Sequence, residues 1–488
     1  MNNLRSSHAL GAYPNNRRLS SAAKVAFFVC VFASFTSLIF LGSNKNLLFT
    51  STGFMCFAVM LLPIAFSRNY DLLSTWSLAC VSVTLGCLLR GIYIGFNYPD
   101  DQTLNTLYLR DRPIDEFYTP AAILVLSLLC CAIGFMLGPN KSRPNDMAAQ
   151  AEIHSALKSK RLYRFAIVAL IVSIASTLAF VGLTDGFDLQ NLSRKRTTIS
   201  SINLDGSHRT YGFLRSFASV ALIAHLLVLA DAIQSTRKKR IKYFVAFLLL
   251  LSAAFLPFYA SSRSTVFIYL IMSMSVFYYC NKRIEWGRVF SILLVAVLLF
   301  QGMSILRSTR EQTLIDVITQ QPINVSIFDK IILNRNGIEL AKTAHIVNAI
   351  PNQLDLQYGK TIAVWAIAVI PRDIWNSKPL ISSGPIIGSI IYGNRVSGVP
   401  PGFVGDLYWN FHLPGVVLGG LFLGWLLRWV DRRFKPRARD SVAVVAVYIF
   451  GPFRLGYLVM GGGLGGGIFN AAVATFIALV LLRVFRVR

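Results

Sequence analysis

Apolar runs of about twenty residues recur along nearly the whole of this 488-residue chain. Coiled into a helix, a run of that length matches the hydrocarbon thickness of a bilayer. It has to be helical there, because a helix satisfies its backbone polar groups within one segment. Twelve spans are expected: Ala22–Gly42, Leu47–Phe66, Leu72–Gly95, Thr119–Gly138, Arg164–Gly182, Tyr211–Ala232, Tyr243–Ala260, Ser264–Cys280, Val289–Ile305, Leu413–Val430, Ser441–Val459 and Gly466–Leu482. With 54% hydrophobic and 14% charged residues, the expected class is an all-α polytopic membrane protein.

A net charge of +26 would suggest nucleic acid in a soluble protein. Here the cations are sorted by loop. Lys158, Lys160 and Arg161 follow the fourth expected span, and Arg237, Lys238, Lys239, Arg240 and Lys242 the sixth. Lys282, Arg283 and Arg288 follow the eighth, and Arg432, Arg433, Lys435, Arg437 and Arg439 the tenth. Every second loop is basic, so both termini are expected on the cytoplasmic side, and the clusters are expected to meet anionic lipid headgroups, not nucleic acid. The first span is expected to be retained, since no small-residue cleavage site follows it. All seven cysteines fall in spans, without a Cys/His metal pattern. No metal and no cofactor is expected.

The expected order is a tail (1–21), nine spans (22–305), a large outer loop (306–412) and three spans with a short tail (413–488). A loop of that size is usually functional or disordered, and this one is too rich in apolar and aromatic residues for disorder. Ile315–Gln320 and Asp329–Ile350 have helical spacing. Thr361–Ile370 is apolar but too short to span, which suits a re-entrant or interfacial element. Ser382–Pro401, rich in Gly, Ser and Pro, reads as a mobile loop.

Cations on the outer face run against the charge rule and ask for a reason. Arg263 stands at a hairpin tip, and the large loop holds Arg335, Arg372, Lys378 and Arg395. Local ion pairs are the bland account; a planar guanidinium also matches phosphate bidentately. Arg90 and Arg454 lie inside spans, Arg90 reading as a snorkelling cation and Arg454 equally as a cavity residue. The acid–base candidates are Asp373, Asp406, His345 and His412, with an N-cap role open for Asp406. Tyr408 and several tryptophans suit sugar stacking or an interfacial belt.

The order Ser262-Arg263-Ser264, Arg335-Asn336-Gly337, Ile370-Pro371-Arg372-Asp373-Ile374-Trp375-Asn376-Ser377-Lys378-Pro379 and Gly405-Asp406-Leu407-Tyr408-Trp409-Asn410 resembles the bacterial O-antigen (oligosaccharide repeat-unit) polymerases. The Pro-Arg-x-x-Trp-x-x-Lys-Pro pattern is its most specific part. The Arg-x10-Gly motif of some members has no counterpart at Arg372 or Arg395. The resemblance implies an inner-membrane glycosyltransferase that joins undecaprenyl-diphosphate-linked repeat units at the periplasmic face, with a chain-length regulator as a further partner. By position, Arg372, Asp373 and Asp406 would then be catalytic, and Arg263, Arg335, Lys378, Arg395, Tyr408 and Arg454 would contact substrate. An O-antigen ligase and a lipid-linked oligosaccharide flippase are the alternatives.

Overall fold

The computed structural model describes residues 16–39, 45–66, 70–71, 73–97, 112–139, 158–184, 212–235, 239–259, 262–281, 287, 294, 337–368, 370, 374–375, 377–392, 399–436 and 441–485. Among these residues every regular element is helical. Seven long apolar helices come first: α1 (Ser20–Ile39), α2 (Asn46–Phe66), α3 (Thr75–Phe96), α4 (Asp115–Leu137), α5 (Arg161–Leu183), α6 (Leu214–Gln234) and α7 (Lys239–Tyr259). The shorter apolar α8 (Thr265–Asn281) follows. Next are the short helices α9 (Leu340–Ala349), α10 (Lys360–Ala363) and α11 (Gly384–Tyr392). The chain closes with the long helices α12 (Gly402–Phe434), α13 (Val442–Gly462) and α14 (Leu464–Val484).

Ten described helices are therefore long and apolar enough to cross a membrane, against twelve expected. The eighth expected span is the shorter α8. Apart from Leu294, Val289–Ile305 lies outside the described residues, as does Ile315–Gln320.

Two apolar cores organise the helices. One gathers α2, α3, α4, α9 and α12 around Met60, Trp76, Leu124, Phe135, Phe403 and Trp409. The other surrounds α6, whose residues from Ala221 to Ala230 are all buried, with α5, α7, α8, α13 and α14. His225 in α6 is buried and fully engaged. Its ring nitrogens lie 2.7 Å from the Ala246 carbonyl and 2.9 Å from Ser273 Oγ.

Polar contacts sort the helix ends into two sets. At one end Lys435 pairs with Asp71 at 2.8 Å, and Tyr278 donates to the same carboxylate at 2.8 Å. Asp431 accepts from the Thr75 backbone N–H (3.1 Å) and the Tyr448 hydroxyl (2.8 Å). Lys242 pairs with Asp231 at 2.7 Å. These bonds gather the segments that follow α2, α6, α8 and α12 at one end of the described helices. At the other end α9 meets the start of α4, where Asn348 donates to the Glu116 carbonyl at 3.0 Å.

The segment between α8 and α12 is built into the bundle. Ile338, Leu340, Ala344 and Ile346 are buried among α2, α3, α4 and α12. A π-helical turn, Thr84–Leu89, interrupts α3 where residue 338 crosses it. A Cβ on Gly86 would sit 1.9 Å from the Ile338 carbonyl oxygen, so only glycine admits the crossing. The expectation of a loop over Ser382–Pro401 is corrected for Gly384–Tyr392, which is helical; 393–398 lie outside the described residues. Ile386, Ile387, Ile390 and Ile391 stand at helical spacing, and burial of Ile387 and Ile391 outweighs the flanking Gly, Ser and Pro.

α12 is two helices joined at His412, which has φ 56° and ψ −148°. The first arm, 402–411, folds back along the second, 413–434: a Cβ on Gly415 would lie 2.8 Å from the Leu407 carbonyl oxygen. The chain reverses just before residue 413, where the tenth span was expected to begin. The preceding arm of what reads as outer loop is thus a helix packed at the level of the spans.

Candidate functional site

The reversal at His412 is the most strained described point of the backbone. Its φ/ψ pair lies close to a region occupied almost solely by glycine, and a non-glycine residue there costs roughly 1–3 kcal/mol. Two neighbouring contacts hold it. The Tyr408 hydroxyl lies 2.7 Å from His412 Nε2, with the rings 4.4 Å apart. The backbone N–H groups of Gln357 and Tyr358 donate to the Trp409 and Asn410 carbonyls at 3.0 Å, capping the end of the first arm. Tyr358 (φ 46°) and Gly359 (φ 84°) are themselves left-handed. The Trp409 indole donates to the Asp355 carbonyl at 3.0 Å.

Asp406 points from the same arm toward the start of α14. One carboxylate oxygen accepts from Thr361 Oγ1 (2.8 Å) and Asn410 Nδ2 (3.1 Å), the other from the Leu464 backbone N–H (2.8 Å). Gly463, which precedes α14, offers no side-chain cap, so Asp406 supplies the cap from another helix. The N-cap role left open for this residue is realised, though on α14 and not on its own helix. Beside it, Trp365 lies across the glycine run, where a Cβ on Gly465 or Gly466 would come within 2.8 Å of the indole.

Lys378 is buried, and its ammonium donates to the Ala368 (3.1 Å) and Ile370 (2.6 Å) carbonyls. It therefore ties position 378 back to positions 368 and 370, and between 370 and 378 the sequence holds Arg372 and Asp373. Those two residues, with Arg335 and Arg395, lie outside the described residues, as does the Arg263 side chain.

Arg454 sits in a 3₁₀ turn, Pro452–Arg454, that breaks α13 near its middle. Its guanidinium carbon is 5.0 Å from the Phe450 ring centroid, and Nε has no hydrogen-bond partner among the described residues. Tyr269 of α8 lies within electrostatic reach of Arg454 and of Arg215, near the opposite end of α6 from Asp231. Among the described residues no carboxylate joins either guanidinium in that neighbourhood. Arg215 went unread in the sequence, where it looks like an ordinary cation at a span end.

Arg90 corrects its expectation. It does not reach the headgroups; its guanidinium forms a buried ion pair with Glu339, just before α9. Lys342 is buried one turn along, donating to the Gly337 carbonyl at 2.5 Å. Burial first, then the nearby Arg90, lowers its pKa to about 8, against an opposing pull from Glu339. The pair borders a cavity of about 10 Å³, lined by Thr52, Gly53, Cys87 and Leu124 among others. Sequence alone misses Glu339 because nothing local marks it as the counter-ion of a residue in α3.

No group of three or more His, Cys, Asp or Glu side chains suited to a metal occurs among the described residues. The chain spans its helices with a strained reversal, a cross-helix cap and two cations facing the bundle interior. Comparison with known proteins returned no match, with no family model, curated protein or solved structure similar to this chain.

Proposed function

We propose that this chain is a polysaccharide polymerase of the bacterial inner membrane, acting at the periplasmic face on undecaprenyl-diphosphate-linked repeat units. One observation carries the reading: Arg215 and Arg454 both lie within electrostatic reach of Tyr269 in the bundle, and among the described residues no carboxylate stands beside either. Ionisable residues inside spans mark substrate pathways when their charge is left for a ligand. A diphosphate at the head of a lipid supplies two linked anionic groups at membrane depth, which two guanidinium groups suit.

In the proposed reaction an acceptor hydroxyl attacks the anomeric carbon of the donor chain. The bond from that carbon to the lipid diphosphate breaks, and the diphosphate leaves with the electron pair. Arg454, Arg215 and Arg372 stabilise that developing charge. The acceptor proton passes to Asp373 or His412, the latter oriented by Tyr408. Asp406 acts as a positioning residue, because its oxygens are already filled by donors. The chain-length regulator remains a proposed partner.

A flippase is the second reading, favoured by the mid-helix position of Arg454, since broken helices at membrane depth also serve transporters. Deleting the gene in its host and running the surface polysaccharide on a gel separates the readings. A single repeat unit on its acceptor supports the polymerase. Polymer left on its lipid carrier would mean a ligase, and lipid-linked units trapped in the cytoplasm a flippase.

A further inference from the structure

The second arm of α12 carries an aromatic ladder on its outside. Phe422 and Trp425 stack with ring centroids 6.4 Å apart and planes 24° apart; Trp425 and Trp429 stack at 6.5 Å and 14°. Phe434 meets Trp429 edge-on at 5.9 Å. Leu418, Phe422, Trp425 and Trp429 are between 39% and 66% exposed, so no described helix covers this stripe. Trp429 suits the interfacial belt, where tryptophan concentrates. Trp425 does not, because it lies nine residues before Phe434, about 13 Å along the helix axis.

The ladder ends between two cations. At about 100° per residue, Arg432 and Arg433 fall roughly 60° to one side and 40° to the other of Trp429. Neither has an ion pair among the described residues, and Arg432 Nε lacks a hydrogen-bond partner. Asp431 cannot neutralise them. It sits about 200° from Trp429 on the helix, and its carboxylate is held by Thr75 and Tyr448. Arg428, a turn before Arg432, adds a like charge rather than a partner. Paired cations at the end of an apolar, aromatic face complement one kind of occupant: a lipid with an anionic head and long acyl chains.

We propose that α12 carries a site for an anionic phospholipid of the leaflet at its basic end. The phosphate lies between Arg432 and Arg433, and one acyl chain lies along Trp429, Trp425 and Phe422. The site is independent of the polymerase reading, since it faces outward and lies at the opposite end of the second arm from His412.

The two tryptophans report on it directly. The full chain is placed in phosphatidylcholine vesicles containing phosphatidylglycerol, with brominated acyl chains on one lipid or the other at equal mole fraction. The quenching lost in Trp425→Phe/Trp429→Phe is the signal of the site. Brominated phosphatidylglycerol is expected to quench that signal at least twofold more than brominated phosphatidylcholine. Arg432→Gln/Arg433→Gln is expected to remove the preference, and Arg432→Lys/Arg433→Lys to keep it, which separates lost charge from lost fold. Equal quenching by both lipids in the unaltered protein would overturn the site. So would a preference that survives the double glutamine variant, or weak quenching by both lipids with Trp425→Cys cross-linking two copies of the chain.

Discussion

Lys342 is the residue whose surroundings most clearly set a measurable property. Its neighbours are Glu339, Arg90 and Cys87, and its pKa falls from 10.5 to about 8 in the fold. Between those values the unfolded chain binds more protons than the folded one. Stability is therefore expected to rise as pH increases from about 8 to 10.5, with no contribution from this residue to the slope below that window. Thermal unfolding in detergent at pH 7.5 and 9.5 checks the sign, read as the difference between the unaltered protein and Lys342→Met. The same slope in both would show that Lys342 is not the source. Glu339 holds the cluster together, since it faces two cations in a buried site. Glu339→Gln should cost about 3–5 kcal/mol, because it leaves buried positive charge without a counter-ion. Arg90→Met/Glu339→Met should cost less than the single change, and a larger loss in the double variant would refute the account.

Elements in this chain are held by residues that belong to other elements. α14 begins at a glycine and takes its cap from Asp406, a residue 58 positions earlier. Removing the cap with Asp406→Ala should cost roughly 1–2 kcal/mol. Its chemistry can be tested separately with Asp406→Asn, which keeps one carbonyl oxygen for the Leu464 N–H. A positioning role predicts polymer formation within about tenfold of the unaltered level, whereas loss of a general base would lower it by about 10²–10⁴-fold. Gel densitometry of polymer at matched protein levels distinguishes the two. Packing of α10 depends in the same way on the glycine run, and nothing in the local sequence around Asp406 or Trp365 announces either contact. The long helices were legible because a bilayer-length apolar run has few alternatives. α11 was not, because its four isoleucines are framed by loop-forming residues that look decisive until burial is known. The reversal at His412 was half legible: the boundary stood in the hydropathy, while the helix folded back before it did not.

At the scale of the whole molecule, charge is distributed by kind. Carboxylates and cations pair in the end set of Asp71, Asp231, Asp431, Lys242 and Lys435, and around Arg90. Arg215 and Arg454 stand apart from those pairs, at a place where α6, α8 and the broken α13 converge. Among the described residues the guanidinium at this helix break has no carboxylate counter-ion, and an ionisable residue there is costly. The anion is therefore expected to come from the substrate. Arg454→Ala should abolish long chains with the protein still present at its normal level, and Arg454→Lys should restore them only in part, since an ammonium lacks the planar fork. Arg372→Ala is expected to give the same loss from the outer loop. Immunoblots of the tagged protein beside polysaccharide gels check both variants. Wild-type chain lengths in Arg454→Ala would remove the interior anion site from the mechanism, and wild-type lengths in Arg372→Ala would remove the loop. Loss in the first without the second would confine substrate recognition to the membrane interior, where the diphosphate and not the sugar would be the group that is read.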